Sequence, residues 1–312
     1  MAKQMATKQR PTPKKKTPAR GGRPAGLFTW IAVGLVVVVV VALVIIKVAS
    51  GGSTTPGKTT FQPVSSTVLT ELTTVPASVF NAVGVTSPIA QVTPPQAIAN
   101  LPGLTATNAS GQKVPEVLYM GAEYCPYCAA QRWSTIVALS RFGTWSGLGN
   151  MSSASGDIYA NTPTFTFAKS KYTSKYVAFK SVEMYTNYID PKTSYYAVLQ
   201  KPTSQEQHEL STYDTSKYIK GLESSQDGSI PFMSFANKFL VAGASYSPTT
   251  LTGSSRDEIA AALDNSTSPV TQAIIASANY QTAAICSVTN QQPGNVCSSA
   301  GVSAAAKAMG IK

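Results

Sequence analysis

An apolar run that ends in two closely spaced cysteines leaves this chain few ways to fold between residues 114 and 141. Val114–Gly121 reads as a strand, because Val117, Leu118, Tyr119 and Met120 form a short apolar run of the fully buried kind. Cys125-Pro126-Tyr127-Cys128 follows directly. Beyond it, Ala129–Arg141 places Trp133, Ile136, Val137 and Phe142 on or near one face of a helix. Pro126 suits a first helical position, where its missing N–H is not needed and its φ is already set. The predicted order is strand, dithiol, helix.

That order carries chemistry. With Cys125 just ahead of a helix and Cys128 one turn in, the two sulfurs can meet without bending the backbone. The unpaired N–H groups and partial positive charge of a helix N-terminus stabilise a thiolate at Cys125. Cys125 is therefore expected to be the exposed nucleophile, forming a mixed disulfide with substrate, and Cys128 the buried thiol that resolves it. Tyr124 and Tyr127, which flank Cys125, are expected to meet substrate. No cofactor is expected, since the dithiol itself carries the two electrons. A zinc site would need a second Cys or Cys/His pair at close spacing, whereas the next cysteine is Cys286 and the single histidine is His208.

Topology agrees with redox chemistry. Leu27–Ile46 is uncharged and apolar. Its 20 residues, at 1.5 Å each, match the roughly 30 Å of a bilayer's hydrocarbon core. It is longer than the hydrophobic region of a cleaved signal peptide. Eight basic residues precede residue 27 and the first acid is Glu71, so the positive-inside rule places 1–26 in the cytoplasm and the rest outside. The expected organisation is a basic tail (1–26), one transmembrane helix (27–46), a flexible linker (47–66) and an extracytoplasmic domain (67–312). The formal net charge of +11 suggests nucleic acid only until it is located. Nine of the 25 Lys and Arg lie before residue 51, and the remaining 16 face 14 Asp and Glu. A nearly neutral main domain gives nucleic-acid binding no support.

Further along, helices are expected at Thr67–Thr74, Pro76–Val83, Thr203–Leu210, Ser216–Leu222, Ser254–Leu263 with Ser254 as N-cap, and Pro269–Ile285. Strands are expected at Thr164–Ala168 and Tyr176–Tyr185, with a hairpin of Ser229–Phe235 and Phe239–Ala242. Residues 143–163 read as loop. Cys286 and Cys297 flank a Pro293-Gly294 turn and are expected to form a structural disulfide outside the membrane, with a redox relay to the dithiol as the alternative.

The segment Ala122-Glu123-Tyr124-Cys125-Pro126-Tyr127-Cys128, following an apolar strand, resembles the thioredoxin superfamily, and Cys-Pro-Tyr-Cys is similar to the glutaredoxin active site. Ile230-Pro231-Phe232-Met233 ahead of a hairpin resembles the second half of that fold. The longer stretch Val117–Trp145 resembles an uncharacterised family of prokaryotic membrane-anchored thioredoxin-like proteins. The resemblance implies a thioredoxin-like α/β fold, with a long insertion between the dithiol helix and the cis-proline strand. It also implies a cis-Pro231 facing the dithiol, and an Ile230 backbone that hydrogen-bonds a bound peptide. Thioredoxins usually carry a buried acid on the strand before the dithiol, and here that position is Tyr119. Glu123 reads as a surface acid. The insertion holds nine of the chain's 14 tyrosines, read as ordinary strand and loop composition.

The function expected from all this is a single-pass membrane thiol–disulfide oxidoreductase that oxidises, reduces or isomerises exported proteins, with a membrane redox partner to recharge it. The alternatives are a thiol-based copper-binding module and an extracellular binding domain with a vestigial dithiol.

Overall fold

The computed structural model describes residues 61–87 and 91–311. The predicted basic tail, the predicted span 27–46 and most of the linker lie outside the described residues. Among those described, no helix is long and apolar enough to cross a membrane.

The fold is mixed α/β. Its strands are β1 (Gln62–Pro63), β2 (Gln96–Ala97), β3 (Thr105–Thr107), β4 (Lys113–Gly121), β5 (Gly143–Ser146), β6 (Gly149–Ser152) and β7 (Pro163–Thr166). They continue with β8 (Lys171–Ser174), β9 (Ala178–Glu183), β10 (Tyr185–Asp190), β11 (Tyr195–Val198), β12 (Phe232–Phe235) and β13 (Phe239–Ala242). The helices are α1 (Ser66–Thr73), α2 (Ala77–Val83), α3 (Pro126–Ser140), α4 (Ser204–Tyr213), α5 (Arg256–Ala261), α6 (Pro269–Val288), α7 (Gly294–Cys297) and α8 (Ala300–Ala308).

β4 is the centre of the main sheet. It pairs antiparallel with β12 on one side and parallel with β9 on the other, while β13 and β2 extend the sheet beyond β12. The first residues of β4 pair with β3. Alternation along β4 sends Val117 and Tyr119 into a large core shared with α3 and α6, and Leu118 and Met120 into a smaller one with Leu210, Tyr213 and Phe232. Both faces of β4 are thus covered, which is why its sequence is apolar without alternation. α3 is enclosed almost all round, and from Cys128 to Leu139 every residue is buried.

Some local expectations are corrected. Residues 143–163 are not simply loop, because β5 pairs with β8 and β6 bridges β1 and β7. Their Gly and Ser content hides the pairing from periodicity. Residues 216–222 form turns rather than a helix, held by the Asp227 carboxylate accepting the Ser216 N–H at 2.6 Å. The cap of α5 is Ser255, which with Glu258 forms a reciprocal capping box, so the expected Ser254 is one residue early. The β10–β11 ribbon and α8 go beyond the sequence reading.

Candidate redox site

Register alone assembles this site. Phe232 lies opposite Met120, so one further step brings Pro231 opposite Gly121 at the end of β4. On the other side Gly121 pairs with Glu183. The chain then turns through Ala122–Tyr124 into the dithiol.

Cys125 is the N-cap of α3 with extended backbone, and Pro126 occupies the first turn. The Cys128 N–H donates to Cys125 Sγ at 3.4 Å, so the sulfur takes the place of a capping oxygen. When protonated, the Cys125 thiol donates to the Ile230 carbonyl oxygen at 3.8 Å. The Ile230–Pro231 peptide is cis. Cys125 is 6% exposed and Cys128 is not exposed at all. Both are free thiols.

Hydrogen bonding from the Cys128 side chain holds the Cys125 thiol below its ordinary range against the opposing effect of burial. The Cys128 and Tyr127 N–H groups and the Arg132 charge reinforce this. Burial pushes Cys128 well up, and the hydrogen bond to Cys125 and its charge push it further. The expected exposed Cys125 is corrected to buried, since the Ile230–Pro231 turn and the start of α3 close over it. The two sulfurs are differentiated instead by their ionisation, one lowered and the other raised.

One turn beyond Cys128, Arg132 is fully buried. Its Nε and Nη2 donate to the two oxygens of Glu183 at 2.8 and 2.6 Å, and Nη2 also donates to the Ala122 carbonyl at 2.8 Å. Glu183 in turn accepts the Phe167 N–H at 3.2 Å. A buried acid therefore stands on the neighbouring strand β9, paired to the dithiol helix. Sequence reading missed this pair. Its signal was a single arginine within the dithiol helix and a single acid at the end of an alternating strand.

Glu123 is corrected from surface to buried, at 6% exposure, with burial raising its pKa. It lines a cavity of about 510 Å³ with Met151, Tyr188 and Leu199, a cavity to which neither free cysteine contributes. Around the sulfurs the insertion supplies an aromatic wall. Tyr124 stacks on Tyr196 with centroids 4.2 Å apart, and Tyr159 meets Tyr127 edge-on at 5.7 Å. Tyr127 is 41% exposed beside Cys125. Burial raises the Tyr124 pKa to about 12, so this ring is neutral at working pH. The reading of these tyrosines as ordinary composition overlooked that several converge on one place.

Cys286 and Cys297 form a disulfide with Cα atoms 5.6 Å apart. Arg141, at the C-terminal end of α3, donates to Ser299 Oγ at 3.1 Å. The bridge therefore lies at the far end of the dithiol helix, about 22 Å along it from Cys125. Among the described residues, no group of three or more His, Cys, Asp or Glu could hold a metal ion.

Residues 100–287 match a family described as a domain of unknown function (DUF929). The chain belongs to that family. The match spans the dithiol, Arg132, Glu183 and Pro231, and ends just past Cys286. No curated protein and no solved structure matches the chain.

Proposed function

We propose that this chain is a membrane-anchored thiol–disulfide oxidoreductase with a thioredoxin-like domain, acting on exported proteins through Cys125 and Cys128. The observation that carries the reading is the asymmetry of the two sulfurs. Cys125 caps a helix, takes an N–H from Cys128 at 3.4 Å and has its thiol pKa lowered, while Cys128 stands fully buried behind it. This is the division of labour that dithiol exchange requires. The thiolate of Cys125 attacks a substrate disulfide, forming a mixed disulfide and releasing one substrate thiolate. Cys128 then gives up its proton and attacks Cys125 Sγ, forming the internal disulfide and releasing the second substrate thiolate, which takes up a proton. The substrate disulfide is reduced by two electrons and the dithiol oxidised. The reverse sequence oxidises substrate.

Support for the thioredoxin-like reading comes from the parallel β4–β9 pair beside the antiparallel β4–β12–β13 run, and from the cis Ile230–Pro231 peptide against Cys125. The Ile230 carbonyl and the rings of Tyr124 and Tyr127 supply edges for an extended peptide around the sulfur. A membrane partner that recharges the dithiol follows from the proposed anchor.

The test is insulin reduction and reoxidation of reduced ribonuclease by the full chain in detergent. Cys125→Ser is expected to abolish both, and Cys128→Ser to trap mixed disulfides with exported proteins and with the membrane partner. Activity unchanged by Cys125→Ser would sink the reading. Titration against glutathione buffers with thiol trapping then gives the direction of electron flow.

A further inference from the structure

Glu123 lies two residues ahead of Cys125, so their Cα atoms stand no more than roughly 7 Å apart. Its side chain lines the cavity of about 510 Å³, and the residue is 6% exposed. Burying a carboxylate without a cation is costly, and glutamine would fill the same space with no charge to bury. The chain nonetheless supplies no cation. The two ion pairs among the described residues are Arg132–Glu183 and Lys180–Glu116. Lys169 lines the same cavity, but it is exposed and its ammonium lies over the Phe61 ring, 4.7 Å from the centroid. Arg132 and Glu183, whose charges also act on Glu123, are engaged with each other.

Around this acid the wall is apolar and held in place. Phe61, Met151, Val198 and Leu199 all line it. A Cβ on Gly149 would collide with the Phe61 ring, so β6 keeps a glycine where that ring closes in. Arg256 donates to the Met151 carbonyl at 2.5 Å and to the Thr164 carbonyl at 2.8 Å, which ties β6 to β7. Val198 and Leu199, 59% and 37% exposed, put the mouth of the cavity at the surface. The strand that lays Tyr196 on Tyr124 runs on through Val198, so one piece of backbone borders both the cavity and the dithiol turn. A buried acid behind apolar walls suits a cation carried on a methylene stem. We propose that this cavity takes the lysine or arginine side chain of a protein substrate, its charge on the Glu123 carboxylate and its methylenes against Met151 and Leu199. The proposal rests on the oxidoreductase reading above, and it names what the substrates carry: a basic residue within a few positions of the cysteine presented to Cys125. Burial holds the Glu123 pKa up, and a basic side chain against it favours the charged form.

The test uses extended peptides whose cysteine is replaced by serine, so that no exchange occurs. Lysine is placed in turn at each of the nearest positions on either side of that serine, and each peptide is matched by one carrying norleucine there. Binding to the full chain in detergent is read by fluorescence anisotropy. At the best position lysine is expected to bind about tenfold tighter than norleucine, the fold-change of one charge-assisted hydrogen bond. Glu123→Gln removes the charge and keeps the shape, and is expected to bring that ratio to about one. Val198→Lys, at the exposed mouth, places a competing ammonium beside the cavity and is expected to lower the ratio as well, which keeps the test decisive if Glu123→Gln fails to fold. Equal affinities in the parent chain overturn the proposal, and so does a lysine preference that survives either substitution. No step of this titration involves sulfur. A chain that exchanged no disulfides would end the oxidoreductase reading while the cavity's preference for a basic side chain was still judged.

Discussion

Arg132 on α3 and Glu183 on β9 form a two-pronged ion pair that no solvent reaches, with contacts of 2.8 and 2.6 Å. Because Glu183 pairs with Gly121 and Arg132 also holds the Ala122 carbonyl, the pair fastens the dithiol turn to both strand and helix. A buried ion pair contributes little net stability compared with well-packed apolar residues, but breaking it strands a charge.

Accordingly, Arg132→Met or Glu183→Met alone is expected to cost about 3–5 kcal/mol. The double variant Arg132→Met/Glu183→Met should recover most of that loss. Denaturant unfolding of the single and double variants checks it. Losses that simply add would mean the two side chains act independently.

The sequence made the centre of this fold legible and its walls hard to see. Val117–Met120, the dithiol and the α3 apolar face all carry local signals, so strand, turn and helix could be read directly. The Arg132–Glu183 contact joins residues 51 positions apart, and nothing local announces it. The same holds for Tyr196 on Tyr124, since a tyrosine in a strand looks the same whether it faces water or stacks on a neighbour of Cys125. Glu123 was misread because acids are usually exposed, and only tertiary packing encloses it.

Cys125 should react as a thiolate at lower pH than a free cysteine. Its folded-state pKa is depressed, while the unfolded value is near the ordinary ~8.5. Its contribution to the stability of the reduced chain is therefore complete above the unfolded value and is lost as pH falls through the folded one. Alkylation of Cys125 in the reduced parent chain by iodoacetamide, located by mass spectrometry, is expected to persist below the pH at which glutathione stops reacting. Equal profiles would show that the helix cap does not activate the sulfur.

Asp214 is fully buried, neither of its carboxylate oxygens has a partner, and burial with the nearby Asp227 raises its pKa from 3.8 to about 8. The folded chain thus keeps a proton that the unfolded chain has lost between those values. Stability is expected to fall as pH rises through that window and to level off above it. Asp214→Asn should flatten the slope and stabilise the chain at neutral pH by about 1–3 kcal/mol. Thermal unfolding at a series of pH values decides it, and a parent profile that rises across the window would contradict the assignment.

The β10–β11 ribbon should bind protein substrates rather than take part in the chemistry. Ile189, Tyr195 and Val198 are 51%, 77% and 59% exposed, while Tyr196 of the same ribbon stacks on Tyr124 next to Cys125. Exposed apolar side chains on a ribbon anchored beside Cys125 suit an unfolded or partly folded chain presenting its disulfide. It offers little to a small aromatic disulfide that needs only the sulfur. Ile189→Ser/Tyr195→Ser is therefore expected to raise KM for insulin several-fold, leave kcat and the reduction of a small chromogenic disulfide unchanged, and alter stability by no more than about 0.5 kcal/mol per site. Parallel steady-state assays on the two substrates check this. Equal losses on both would move the ribbon's role from recognition to support of the dithiol turn.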